Sequence, residues 1–370
     1  QALHLSAAEA LADSDEASQQ ANEIARHFVE ANAMERAVPY FEDAGRQAAW
    51  VAAHTEAVAH FENALKAHRA TPDGPDKERR ELQLILQRIS QILVTSGLAN
   101  EEIYDDTNRA VALADQVGDH QEILDAYFPL WGRALFVPDF RTAESLTDHA
   151  AKAIAGSNDP SDRMTVLFMR GVNDFYTGRF PESVAALEEA VELYDPEMVR
   201  THKSRVGHNI AGSAGSFLGW ALAFRNETEA AASASAQAMV IARDMDDEFS
   251  HTFATIFSAT RAFFQGRIDE GVNLARQAIR FSEGSKLTMW KRQAELLIAR
   301  ADDLQGKSNG LEDMQAALAD YRAAGSELAR PYAQVWIAES HLRLNQCTEA
   351  IAAIDDVLAF SETSVEHYFD

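Results

Sequence analysis

The sequence predicts an all-α fold of repeated helical hairpins, an α-solenoid with a period of about 40 residues wound as a right-handed superhelix. Three observations carry this reading. Trp131, Gly171, Gly219, Ala259, Ile298 and Ala338 form an anchor column at intervals of 40, 48, 40, 39 and 40 residues. Twelve residues after each anchor stands a small residue: Ala143, Ser183, Ala231, Gly271, Gly310 and Ala350. Seven further on come Ala150, Ala190, Ala238, Ala278, Ala317 and Val357, five of the six being alanine. A register of this kind belongs to a chain whose units bury their apolar faces only against their neighbours.

The spacing within one unit defines its elements. Side chains at Ser183, Leu187 and Ala190, or at Gly310, Met314 and Ala317, share one face of a helix with 3.6 residues per turn. The anchor lies on a preceding helix, and Gly178 with Arg179, or Gly266 with Arg267, supplies the turn between the two. Small residues are required where two helices cross closely. The layout resembles the tetratricopeptide repeat, whose small and aromatic positions recur in the same order with a period of about 34 residues.

The single 48-residue interval places about eight extra residues between two hairpins, within Tyr194 to Gly207. Asp195 and Pro196 end a helix there, and Arg200, His202, Lys203, Arg205 and His208 form the most basic stretch of an acidic chain. It reads either as a solvated spacer or as a binding or interdomain element. Toward the N-terminus, Ala25, Phe28, Ala37, Phe41 and Ala44 reproduce the spacing of one unit, and Ala57, Phe61 and Ala64 repeat its second half. Ala70 to Lys77 holds two prolines and a glycine and reads as a loop. The expected organisation is N-terminal helical repeats over residues 1–69 and the repeat array over residues 78–370, with the inserted loop at 194–207. Ile103 occupies a small-residue position, so the repeat before the first clean one is degenerate.

A net charge of -25 argues against nucleic acid, which is held through Lys and Arg. No run approaches the roughly 18 apolar residues of a membrane span, so no membrane partner is expected. The lone Cys347 excludes an internal disulfide and suits a reducing cytoplasm. Gln1 is no natural start, and the chain is expected to be a fragment or processed product. Ala301 to Ser308 satisfies a permissive phosphate-loop pattern, but it follows a helix and places Asp302 and Asp303 where a phosphate would be repelled. It reads as an inter-helix turn with Gly306 ending a helix. Nucleophile and metal motifs are missing, and His54 with His60, or His202 with His208, are six apart and share no helical face. No catalytic residue, cofactor or metal is expected.

One set of residues stands out as a site. The exposed positions of each first helix give a column of rings that includes Phe136, Tyr176, Trp220, Phe224 and Phe264, with Arg205 and His208 expected at its border. Such rings either hold an apolar ligand or a partner's amphipathic helix on a concave wall, or plug the space between successive first helices.

The stretch from Tyr194 through His202, then Gly207 to Asn209 and Ser216 to Phe224, resembles the tetratricopeptide-like C-terminal region of a bacterial regulator family. Ile24 to Ala31, Ala37 to Ala48 and Tyr321 to Tyr332 agree with it. In that family a class III adenylate or guanylate cyclase domain, or a winged-helix DNA-binding domain, precedes a signal-transduction ATPase. The resemblance implies that ATPase and output domains lie upstream, with the ATPase as a contact of this region. Where the family often carries Asp-Pro after the inserted glycine, this chain has His208 and Asn209. The resulting expectation is a non-catalytic sensor or protein-interaction arm of a larger cytoplasmic signalling regulator. The alternative is a stand-alone receptor that binds a peptide or small effector in its concave groove.

Overall fold

The computed structural model describes residues 1–51, 53–96, 102–197, 209–243, 248–282, 287–307, 309–323 and 325–369. Among them the regular elements are all α-helices, and the chain divides into two compact units, Gln1–Leu130 and Trp131–Asp370.

The first unit contains α1 (Ala2–Ala12), α2 (Ala21–Glu30), α3 (Met34–Trp50), α4 (His54–Arg69), α5 (Lys77–Ser96) and α6 (Glu102–Val117). Ile24, Ala25 and Phe28 of α2, Ala37 and Phe41 of α3, and Ala57, Phe61 and Ala64 of α4 are buried, so the N-terminal spacing does mark helix faces. Residues 70–76 lie between helices, as their prolines and glycine require. Two buried carboxylates tie this unit together. Glu42 receives Arg46 at 2.7 Å and also pairs with Arg80. Glu81 receives Arg69 at 3.0 Å and Arg109 at 2.7 Å.

Helix α7 (His120–Phe136) carries the chain into the second unit, where α8 (Phe140–Ala153) follows it. Five hairpins come next: α9 (Pro160–Tyr176) with α10 (Phe180–Glu192), α11 (Ile210–Phe224) with α12 (Thr228–Arg243), α13 (Glu248–Phe264) with α14 (Ile268–Phe281), α15 (Thr288–Leu304) with α16 (Gly310–Ala323), and α17 (Arg330–Arg343) with α18 (Cys347–Ser364). Several first helices begin on side-chain caps. Asp159 accepts from the Ser161 N–H at 2.8 Å, with Pro160 at the first helical position, and Asn209 accepts from the Gly212 N–H at 3.0 Å.

The anchor column and the column twelve residues later meet at the helix crossings. Ser183 donates its hydroxyl to the Gly171 carbonyl at 2.7 Å. A Cβ on Gly171 would stand 3.3 Å from the Ser183 carbonyl oxygen, one on Gly219 3.3 Å from that of Ala231, and one on Gly271 3.2 Å from that of Ala259. In three successive hairpins, then, backbone meets backbone at the same place, and only hydrogen or a small group fits.

The turns obey a second register. Gly178, Asn226, Gly266, Gly306 and Asn345 all have left-handed backbone, with φ of 76°, 61°, 70°, 73° and 58°. After each, the next N–H bonds to a carbonyl five residues back, as in Arg179 to Asp174 at 2.8 Å and Arg267 to Ala262 at 2.8 Å. This closes the last turn of every first helix in the Schellman manner. Gly306 of the phosphate-loop look-alike is one member of the set, and the neighbouring Lys307 pairs with Asp302. That stretch is a hairpin turn. Of the inserted loop, only Tyr194 to Glu197 is described, and residues 198–207 lie outside the described residues.

Two glycines separate crossing from propensity. A Cβ on Gly271 would fall 2.4 Å from the Phe263 ring, whereas one on Gly212 would meet nothing nearer than 3.7 Å. Gly271→Ala is expected to lower stability by about 1–3 kcal/mol through overpacking. Gly212→Ala is expected to raise it by about 0.5–1 kcal/mol through helix propensity. Urea melts of the two variants give opposite signs if the columns are the packing seam.

Candidate functional site

One column of rings in the second unit comes from its first helices. Positions five after the anchors read Phe136, Tyr176, Phe224, Phe264, Asp303 and Arg343, so one face changes along the array from aromatic to ionic. The ionic end is knit together: Arg343 pairs with Asp303, Arg300 lies 3.3 Å from Asp303, and Arg300 also pairs with Glu339. Burial pulls the Arg300 guanidinium below its ordinary range, and the nearby Glu339 opposes that shift.

At the aromatic end the rings form a continuous cluster. Phe175 stands 5.6 Å from Phe224 and 5.8 Å from Trp220, and Phe224 stands 5.1 Å from Phe264. Trp220 lies beneath this surface at 2% exposure, stacked on Phe257 at 4.2 Å, with its indole N–H donating to the Phe257 carbonyl at 2.8 Å. Each of these separations lies in the range where edge-to-face and offset pairs add to area burial.

Two segments lie against this face. Residues 325–329, just before α17, reach the C-terminal end of α7, where the Glu327 N–H donates to the Phe136 carbonyl at 3.1 Å. The stretch after α18 reaches the end of α9, where the His367 N–H donates to the Tyr176 carbonyl at 2.8 Å. That carbonyl is one of the last four of a helix and has no partner within it. Tyr368, 3% exposed, places its ring 5.1 Å from Phe175, 5.4 Å from Tyr176 and 5.7 Å from Phe224. Phe369 follows at 5.7 Å from Phe224 and 6.0 Å from Phe264. Beside it a cleft of about 580 Å³ stays open, lined by Phe224, Phe264, Trp336, Arg300 and Glu339.

Of the residues singled out by sequence, Tyr176, Phe224 and Phe264 therefore gather around one peptide segment, with Phe224 and Phe264 half-exposed. Phe136 is buried at the end of α7 and Trp220 packs below the surface. Arg205 and His208 lie outside the described residues. Tyr368 and Phe369 were missed because they stand beyond the last helix and outside the 40-residue register. Their only signal is an adjacent aromatic pair after a long amphipathic segment. Among the described residues no three metal-ligating side chains come together, and no helix is long and apolar enough to cross a membrane.

No family model matches the chain. An uncharacterized protein of Rhizobium meliloti (strain 1021) is 24% identical over 310 residues, which cover 82% of this chain. The chain spans about 30% of the length of that curated relative. Among solved structures, a Rap protein complexed with competence and sporulation factor superposes with a TM-score of 0.62 at 11% identity, over 88% of this chain and 98% of that one. The fold is that of a tetratricopeptide-like α-solenoid. A signal-transduction ATPase with a tetratricopeptide repeat sensor, from Pyrococcus horikoshii, matches more distantly, with a TM-score of 0.43 at 14% identity over 95% of this chain and 55% of that one.

Two outcomes follow from the burial pattern. Trp220→Ala is expected to cost about 3–5 kcal/mol, since it empties a packed site and removes the indole hydrogen bond to the Phe257 carbonyl, and Phe264→Ala roughly half of that, because its ring is partly in water. Thermal melts followed by circular dichroism check the order. Burial, with the Glu366 charge beside them, pushes the Tyr176, Tyr321 and Tyr368 phenols above their ordinary 10.0, and burial likewise raises Tyr332. A phenol raised on folding stabilises the fold fully below pH 10.0 and loses that contribution as pH rises further. Absorbance titration should therefore show these four phenols ionising together with alkaline unfolding, and Tyr368→Phe should shift that unfolding to higher pH.

Proposed function

We propose that this chain is a non-catalytic repeat module, the sensor or protein-interaction arm of a larger cytoplasmic signalling protein, and that its aromatic face receives a peptide segment of a partner. The observation that carries this reading is the groove itself. Rings from three successive first helices, Tyr176, Phe224 and Phe264, converge on a strip where a stretch of polypeptide already lies. Rings of this kind supply large contact area at small cost in side-chain entropy. The similar Rap protein was solved in complex with competence and sporulation factor, which supports a receptor role for such an array. The much greater length of the Rhizobium relative supports the place of the chain within a larger protein. The sequence resemblance to cyclase-linked or winged-helix ATPase regulators supports a parent of that class, with the ATPase domain as a neighbour.

A small effector is the second reading. The cleft of about 580 Å³ has the size of a small-ligand site and sets rings against Arg300 and Glu339.

The test is a selection of random nine-residue peptides on the intact chain, followed by anisotropy titrations of the recovered sequences. Binding is expected to weaken at least tenfold in Phe264→Ala and to persist when the exposed Glu349, in the first turn of α18, becomes Gln. Peptides that bind Phe264→Ala as tightly as the parent would remove the groove from the reading. A metabolite that competes with them would assign the cleft to an effector.

A further inference from the structure

The segment that leaves α18 is built to sit in the groove and also to leave it. Val365 ends the helix in the left-handed region, at φ 63° and ψ 28°. A β-branched residue is strained there, and such strain persists only where surrounding contacts hold it. The holding contacts reach far back along the second unit. His367 gives one backbone hydrogen bond to Tyr176, at 2.8 Å, and Tyr368 and Phe369 give their ring contacts. Side chains alternate along the segment: Glu366 and Tyr368 are buried and His367 faces water. Gly178 makes room for it, since a Cβ there would stand 3.2 Å from the His367 carbonyl oxygen. At the matching turn positions of other hairpins the chain uses Asn226 and Asn345, so left-handed backbone alone does not demand glycine.

We propose that residues 365–369 are a resident occupant of the aromatic groove. The ligand that replaces them is an extended peptide carrying two adjacent aromatic residues, and this rests on the receptor reading above. The segment displays the recognition chemistry: an N–H for the Tyr176 carbonyl at the end of α9, one ring for the Phe175, Tyr176 and Phe224 pocket, and a second ring between Phe224 and Phe264. A partner peptide with the same three features competes for the same places. It enters beside Phe369, where the cleft is open, and its binding lets Val365 relax to ordinary backbone. Because the resident segment is tethered, its effective concentration is in the millimolar range, so the groove rejects weak or partial matches.

The probe is a fluorescent synthetic peptide with the sequence of residues 362–370, titrated by anisotropy into the intact chain and two variants. In Tyr368→Ala/Phe369→Ala the rings of the resident segment are gone. In His367→Pro its N–H is gone while both rings remain. Both variants are expected to bind the peptide at least tenfold more tightly than the parent, with unchanged helicity. A peptide with alanine at both aromatic positions should bind none of them. The proposal is overturned if helical variants bind no more tightly than the parent, or if the alanine peptide binds equally well. Should the double variant fail to fold, His367→Pro decides alone. Since the probe is the chain's own segment, its binding together with an empty peptide selection would refute the receptor reading and not this one.

Discussion

Everything in the second unit depends on how closely two helices approach within a hairpin. Where the Gly171 backbone touches Ser183, Gly219 touches Ala231 and Gly271 touches Ala259, the helices are near enough for their flanking side chains to interlock. That contact is repeated at a constant step, and so the first helices present the same face again and again. The aromatic column is a consequence: Phe224 and Phe264, each five residues beyond its anchor, come within 5.1 Å because the anchors themselves are stacked in register. A larger residue at one crossing would spread one hairpin and move its ring out of line with the others.

On the proposed reading, burial and binding are not opposites at the aromatic face. Trp220 and Phe257 pack below the surface and hold α11 against α13, whereas Phe224, one turn beyond Trp220, and Phe264, two turns beyond Phe257, stand half-exposed. The buried rings make the exposed ones rigid. A groove of this kind presents apolar area whose geometry is already set before anything binds, which lowers the ordering cost on association. The ionic continuation of the same column, Asp303 with Arg343 and Arg300 with Glu339, bounds the apolar strip and gives it a direction.

Much of the fold was legible residue by residue. The small residues of the two columns, from Ala143 to Val357, are buried, and Gly178, Gly266 and Gly306 stand in the turns where their spacing placed them. Asn226 and Asn345 do the same work as those glycines but escape a reading based on glycine and proline, because asparagine tolerates left-handed backbone without announcing it. The phosphate-loop pattern was dismissed on context, and Lys307 duly turns to Asp302.

By itself the sequence determined the repeat, its helical hairpins, its crossings and the ring column, since each follows from contacts between residues a fixed number of positions apart. Only the tertiary structure decided which rings face outward and what lies on them. Tyr368 meets Phe175, almost two hundred positions earlier, and the Glu327 N–H meets the Phe136 carbonyl. Contacts of that kind have no period. They depend on the summed rotation of five hairpins, which brings the segment after the last helix back to the end of an early one, and no local spacing encodes that sum.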